Sequence, residues 1–551
     1  MKKITLFLSF TLFIHTLFAQ IPDNCQWAYV PVGTNTFNAR VINSAIDLQG
    51  NIVETGTIYG VADMDPGTAV SDTTFSLPGY NYYLSETAAD GRLVWIKYFK
   101  GFPAVSVFSF NGVKVNSQNE IIVVGSYFGV IDFDLSDSGV DTIRSRQPTY
   151  QDYFVAKYDS SGNYLWAFSI GDVTNRTQIQ TVSLQPNDDI LVATNTNGPV
   201  DVDPGVGIHN SLGGNANLVC YDSNGNYNWV NNIAVNYSYA ENYKSLEGDA
   251  AGNIYLLSLG YYELTVNKFN SNGVRLWNKT IGLFSAGARV TPQSVLVDKL
   301  NGNFYVAGTF DGTVDFDPGP NSVTQTSNNI SFEDGFIAKY DSSMGLLWVN
   351  AYPGNVEFGK YSMDFYGTDI LLGGSYTGSI DFGNGFTFTS GGMTPFLLKI
   401  DGSGSTTDAF QLNGSGSFNT LHVESTLSLV TTGAIFTTMD MDPGAATLTL
   451  TVPNASSFTA VYSLLTSVNT IQGSSASIQL FPNTSSGIFT INTEKSNFST
   501  IKIYNITGEL IYQSIANKKT VVDLSEEGRG MYFVTILNED GEVANRKVIV
   551  E

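Results

Sequence analysis

A 551-residue chain with 27 basic against 50 acidic side chains, a formal net charge of −23, cannot present the basic face that nucleic acid or an anionic membrane surface requires. Charged residues make up only 14% and aromatics 13%, with 54 glycines, a balance that suits many short strands and tight turns rather than disorder.

Lys2 and Lys3 precede an apolar stretch from Ile4 to Phe18, and Ala19 offers a small residue for cleavage. This is the three-part layout of a secretory signal peptide, predicted over 1–19. The stretch is too short and too polar to span a bilayer, and no later run of about 18 apolar residues follows, so no transmembrane segment is expected. Cys25 lies just behind the expected cut, without the small-residue pattern of a lipid-anchor site. Cys25 and Cys220 fall in well-separated repeats and are read as free thiols.

From residue 20 to 465 the dominant signal is repetition. GNFYVAGTF at 302–310 recurs as GNIVETGTI at 50–58, NEIIVVGSY at 119–127, DDILVATNT at 188–196, GNIYLLSLG at 252–260, TDILLGGSY at 368–376 and LSLVTTGAI at 427–435, seven copies in all. A second block, FIAKYDSSMGLLWVNAYPG at 336–354, recurs at 154–171, 218–234 and 266–282. Each unit reads as four strands. In the fifth these are 294–298, 303–310, 335–341 and 346–354, rich in β-branched and aromatic residues, with Asp-Ser-Ser and Gly turning the chain between the last two. No stretch holds a helical period with caps. A period of roughly 50–70 residues matches small sheets that bury their faces only against their neighbours.

All six tryptophans, Trp27, Trp95, Trp166, Trp229, Trp277 and Trp348, occupy one place in the fourth strand. Unit six carries Asp408 there instead, and unit seven ends after its third strand, 458–465, while Trp27 stands alone ahead of unit one. Both ends are reconciled if the N-terminal strand 26–32 completes the last unit and closes a ring. The expected fold is therefore all-β: a β-propeller of seven blades closed by the N-terminal strand. The pattern resembles bacterial β-propeller repeat families with a glycine, asparagine and aromatic signature, and KYDSSGNYLW at 157–166 resembles the tryptophan docking motif of quinoprotein propellers. That resemblance implies a fold, and no particular function.

A polar linker, 466–476, separates a C-terminal segment, 477–551. The opening Phe481-Pro482-Asn483 with Gly487, IKIYNITGELIY at 501–512, VVDLSEEGRGMYFV at 521–534 and RKVIV at 546–550 closely resemble the type A C-terminal sorting domain of the type IX secretion system of Bacteroidetes. Thr484 stands where that family has a second proline. The resemblance implies a small immunoglobulin-like β-sandwich, the type IX secretion machinery as partner, passage via the periplasm and across the outer membrane, and removal of the tail. The product is then either released or attached to surface lipopolysaccharide.

Between the second and third strands of most units sits a D-x-D element: Asp63 and Asp65, Asp132 and Asp134, Asp201 and Asp203, Asp315 and Asp317, Asp440 and Asp442, four of the five continuing into Pro-Gly. Carboxylates two apart on an extended segment point to one side, where they can share a hard cation such as calcium. On this reading Asp63, Asp65, Asp201, Asp203, Asp315, Asp317, Asp440 and Asp442 are metal ligands. The favoured reading is an Asx turn in which each Asp accepts backbone N–H, because the further oxygen ligands of a calcium loop are missing. Unit four omits the element, which marks it as an insertion on the blade.

The Asp-Ser-Ser-Gly turns resemble the aspartate boxes of sialidases in position, and such boxes stabilise the fold. Arg92, Arg176 and Arg275 are sparse and out of repeat register, and His209 and His422 are isolated. No G-x-S-x-G, H-E-x-x-H or adjacent cysteines occur. The sequence therefore predicts a secreted or surface-displayed, non-catalytic binding or adhesion propeller, whose ligand is a carbohydrate or an extracellular protein. The alternative is a polysaccharide-active hydrolase or lyase with its site at the propeller centre, where propellers gather non-repeating residues.

Overall fold

The computed structural model describes residues 24–464, except 34–39, 60–61, 66–71, 74–79, 102–106, 137, 147–149, 213–214, 234–241, 260–262, 284–286, 328–332, 425–427, 445 and 453. It also describes 478–550, except 482–483, 486, 494–497, 506–509, 516–517, 526, 528–529 and 539–542. The expected signal peptide, the linker and most of the opening Phe-Pro-Asn lie outside these residues. The chain divides into two compact bodies, Met1–Leu465 and Thr466–Glu551. Among the described residues every element is a strand, and no helix is long and apolar enough to cross a membrane.

In the N-terminal body the strands fall into antiparallel sets of four, an all-β, propeller-like array. Unit one comprises Arg40–Ile46, Ile52–Tyr59, Tyr80–Thr87 and Leu93–Gly101. Unit two comprises Val107–Val115, Ile121–Phe128, Asp152–Tyr158 and Tyr164–Ile170; unit three, Thr177–Leu184, Ile190–Thr196, Asn215–Tyr221 and Tyr227–Ile233. Unit four holds Asn242–Gly248, Ile254–Leu259, Leu264–Phe269 and Arg275–Thr280, and unit five Arg289–Val297, Phe304–Asp311, Asp334–Tyr340 and Leu346–Tyr352. Unit six is Asn355–Tyr366, Asp369–Asp381, Thr387–Ile400 and Thr406–Gln411. Unit seven contributes Asn413–Val423, Ser428–Asp440 and Ser456–Ser463, and its last strand pairs with Asn24–Tyr29 from the other end of the chain, Trp27 opposite Val461.

The middle strands are buried on both faces, as in Ile121–Phe128 and Asp152–Tyr158, because each sheet is sandwiched between its neighbours. Apolar clusters accordingly form between units, for example Leu84 of unit one with Val113 and Phe154 of unit two. Between units seven and one the cluster shrinks to Ile52, Val430 and Val461, with Trp27 and Ile46 against it.

The tryptophans explain the register. Five of the six dock on the third-to-fourth-strand turn of the next unit, at a glycine whose φ of +69 to +93° suits no other residue well: Trp27 on Gly91, Trp95 on Gly162, Trp166 on Gly225, Trp229 on Gly273 and Trp348 on Gly404. Trp277 packs against the cluster that holds Met344, the unit-five residue at the matching turn position, which takes the same left-handed conformation at φ 62°. Asp408 of unit six, opposite Lys399 as Trp348 is opposite Lys339, faces a unit whose fourth strand comes from the N-terminus. Unit seven has no such turn, so unit six has nothing on which a tryptophan would dock.

The C-terminal body has two sheets. Ile478–Phe481, Ile488–Thr493 and Lys519–Asp523 form one; Thr484–Ser485, Val543–Val550, Gly530–Asn538, Phe498–Tyr504 and Leu510–Ile515 form the other. Phe489, Ile491 and Val522 of the first pack with Ile501, Ile503, Val534, Ile536 and Val548 of the second.

Candidate functional site

The D-x-D elements stay local, each in its own unit. The first carboxylate accepts the backbone N–H two residues on, Asp315 from Asp317 at 3.1 Å, and a second N–H from across the hairpin, Val323 at 2.8 Å. Asp132, Asp201 and Asp440 repeat both bonds, and in unit one Asp63 accepts from Asp65 at 3.1 Å. The second carboxylate accepts the next N–H but one, Asp203 from Gly205 and Asp317 from Gly319 at 2.8 Å, and Asp442 from Gly444 at 2.7 Å.

The residue between the two aspartates is buried: Met64, Phe133, Val202, Phe316 and Met441. In three units a third-strand tyrosine donates to its carbonyl, Tyr158 to Phe133, Tyr221 to Val202 and Tyr340 to Phe316, at 2.9–3.1 Å. Unit four lacks the element and has Phe269 in place of that tyrosine. Several of these hairpins also pair with the chain leaving the preceding unit, as Asp132 does with Lys100 and Asp315 with Gly282. Physically the element is a pinned hydrophobic plug that ties neighbouring units together.

Among the described residues no three His, Cys, Asp or Glu gather as a metal site. With each first oxygen occupied by backbone N–H, a chelator is expected to leave the melting temperature unchanged. The double change Asp315→Asn and Asp317→Asn should lower it by no more than a few degrees, since Asn makes the same turn. A calcium-dependent rise of several degrees, lost in the double variant, would instead assign these aspartates to the ion.

Non-repeating polar residues gather elsewhere, on the first strands. Each first strand touches that of the next unit, and that of unit seven touches that of unit one. Lys114 of unit two reaches Glu247 of unit four at 3.8 Å, and its ammonium lies 5.7 Å from the ring centre of Tyr361 in unit six. Contacts among units two, four and six require side chains that meet across the middle. Glu247 also pairs with Lys299 at 2.9 Å. Lys360 donates to the Gln180 carbonyl at 3.1 Å and sits 4.9 Å from the Tyr361 ring, whose hydroxyl lies 3.2 Å from Thr181 Oγ1. His422 Nε2 is 3.2 Å from both the carbonyl and Oγ of Ser44, and Asp364 accepts the Val423 N–H at 2.8 Å.

Burial and charge divide these groups. Burial alone would raise the Glu247 carboxyl, but Lys299 and Lys114 outweigh it and hold Glu247 below its usual range. Burial would likewise raise the Tyr361 phenol, and Lys360, Thr181 and Lys114 bring it below the ordinary value. Asp364, buried and facing the Glu247 charge, is pushed up to about 6. Burial, then Lys114, pushes His422 down to about 4, so it stays neutral near pH 7.

Of this constellation the sequence singled out only His422. Lys114, Glu247, Lys360, Tyr361 and Asp364 share no spacing, and their one signal is charge in a strand otherwise given to packing. His209 is exposed on unit three, its Nδ1 2.9 Å from Asp203 and its ring stacked on Tyr227. Cys25 and Cys220 are free thiols, and burial pushes each up to about 12.

The profile of the secretion system C-terminal sorting domain family matches residues 479–551. The C-terminal body is a type IX sorting domain. Such a domain marks proteins for type IX secretion to the cell surface or the extracellular space, so this chain is secreted or surface-displayed and engages that machinery.

Part of the chain is similar to an uncharacterised WD repeat-containing protein of Acanthamoeba polyphaga mimivirus, 28% identical over 163 residues, covering 28% of this chain and 11% of that protein. Similar solved structures include the Dos1 propeller (10% identity, 80% of this chain and 96% of that one, TM-score 0.36). The WD40 domain of Toxoplasma gondii coronin (8%, 80% and 86%, 0.33) and a protein of unknown function from Bacteroides caccae (14%, 60% and 90%, 0.31) are others.

Deleting 477–551 is expected to leave the N-terminal body folded and retained in the periplasm, as fractionation and limited proteolysis would show. Normal levels of the truncated chain outside the cell would contradict this.

Proposed function

We propose that the protein is a non-catalytic binding or adhesion module, exported by its sorting domain, whose seven units are closed into a ring by the N-terminal strand and whose ligand is a carbohydrate or an extracellular protein. The observation that carries this reading is how the axial groups are used. Glu247 is shared between Lys114 and Lys299, Tyr361 and Lys360 are engaged with unit three, and His422 with unit one. Such a network braces the ring and leaves recognition to its surface.

A second reading, a polysaccharide-active hydrolase or lyase at the centre, has one observation in its favour. Asp364 and Glu247 are two carboxyls whose surroundings push their proton affinities apart, the form an acid and base pair takes. The binding reading is tested by passing the secreted chain over arrays of glycans and extracellular proteins. Saturable retention on one class is expected, and a folded chain retained by neither would refute it.

A further inference from the structure

One buried third-strand position separates the units by chemistry. Units two, four, five and six carry Lys157, Lys268, Lys339 and Lys399 there, opposite Ile122, Tyr255, Tyr305 and Leu371, whereas unit one has Glu86 opposite Val53, unit seven Val461 opposite Val430, and unit three Cys220 opposite Leu191. The lysines have set tasks. When an acid stands at the start of the second strand the lysine pairs with it, Lys157 with Glu120 and Lys399 with Asp369 at 3.2 Å. The lysine also reaches a turn carbonyl of the next unit, Lys157 donating to Ser223 at 2.9 Å and, in units four and five where the acid's place is Asn253 or Asn303, Lys268 to Ser342 at 3.0 Å and Lys339 to Gly402 at 3.2 Å.

Unit three has the acid, Asp189, and no lysine to meet it. Its carboxylate accepts from Asn228 Nδ2 at 3.1 Å and from the Cys220 thiol at 3.9 Å, and among the described residues no cation pairs with it. The matching turn carbonyl, Ser271, is taken by Gln185 at 3.1 Å. In three other seams the tryptophan N–H donates to that carbonyl, Trp27 to Ala89, Trp95 to Ser160 and Trp348 to Gly402. Trp229 has no such partner among the described residues. Its indole, Asp189, Asn187, Asn228 and Asn272 line an open cleft of about 530 Å³ between units three and four.

We propose that this cleft binds the side-chain ammonium of a lysine on a polypeptide partner, in the place where units two and six, the other units with an acid at the Asp189 position, seat their own. Asp189 supplies the counter-charge, the amide oxygens of the cleft take further N–H donors, and the Trp229 ring flanks the cation. A fourth-strand tryptophan flanks a lysine in unit one, where the Lys97 ammonium lies 5.9 Å from the ring centre of Trp95. A net charge of −23 draws a basic partner toward the surface. The cleft lies apart from the axis, so its test stands whether or not the axial groups turn over sugar.

The test is calorimetric titration of the full chain at low salt with acetyl-Ala-Lys-Ala-amide, its Nε-acetylated counterpart and glucosamine. The lysine peptide is expected to bind saturably and to lose about tenfold or more in affinity on acetylation. Asp189→Asn, which is isosteric, should weaken it as much, and Cys220→Lys should abolish it by supplying the ammonium in cis. Binding undiminished in Cys220→Lys or in Asp189→Asn, glucosamine bound in preference to the peptide, or no saturable binding by the folded wild type would overturn the proposal.

Discussion

Removing residues 21–33 is expected to lower the melting temperature of the N-terminal body by about 10 °C or more. The strand Asn24–Tyr29 covers Ser456–Ser463, and without it that strand becomes an open edge. Trp27 is lost from Gly91, together with its N–H bond to the Ala89 carbonyl at 2.8 Å; truncating a core aromatic costs about 3–5 kcal/mol, and half-buried Trp27 gives up part of that. The single change Trp27→Ala should therefore reproduce much of the effect and cost as much as Trp166→Ala inside the array. A melting temperature unchanged by the deletion would refute ring closure.

The seam this strand seals holds the second large effect. Glu54, in the second strand of unit one, stands where units two and five have Val123 and Val306. It is buried against unit seven, where the Thr459 hydroxyl donates to it. Tyr29 and Tyr83 face it as well. Burial pushes the Glu54 carboxyl from its ordinary 4.5 to about 7, against the smaller opposing effect of Thr459.

Because the folded-state value is the higher one, its contribution to stability is complete below pH 4.5 and is lost as pH climbs through about 7. The loss amounts to about 3 kcal/mol. Glu54→Gln keeps the hydrogen bond without the charge. It should match the wild type at pH 4 and exceed it at pH 8, when melting temperatures of the two chains are compared side by side. Asp152 and Asp364, each pushed up to about 6, bend the wild-type curve in the same direction, and the difference between the chains cancels them. A gap between the chains that does not widen with pH would contradict the assignment.

What the sequence discloses follows from what repeats. Trp95, Trp166 and Trp229 recur because each unit must dock on the next, and Asp315 and its counterparts recur because each hairpin needs its carboxylates to satisfy backbone N–H. Even the exceptions are local and readable afterwards, Phe269 where no hairpin calls for a tyrosine and Asp408 where no turn awaits a tryptophan. Richness in β-branched and aromatic residues marks the central strands more plainly than any alternation, since they are buried on both faces. The axial groups could not be read because Lys114, Glu247 and Tyr361 come from three non-adjacent units and meet only once the array is formed. The same holds for the cleft, whose signal is a lysine missing at Cys220.

A centre that braces rather than reacts releases no product, and product release measures that most directly. The secreted chain is incubated with each polysaccharide that retains it, and reducing ends and unsaturated products are followed over hours. Retention without release is predicted for the wild type and for Asp364→Asn alike. Sugar released by the wild type and lost in Asp364→Asn would contradict it, and would make the axial carboxyls an active site.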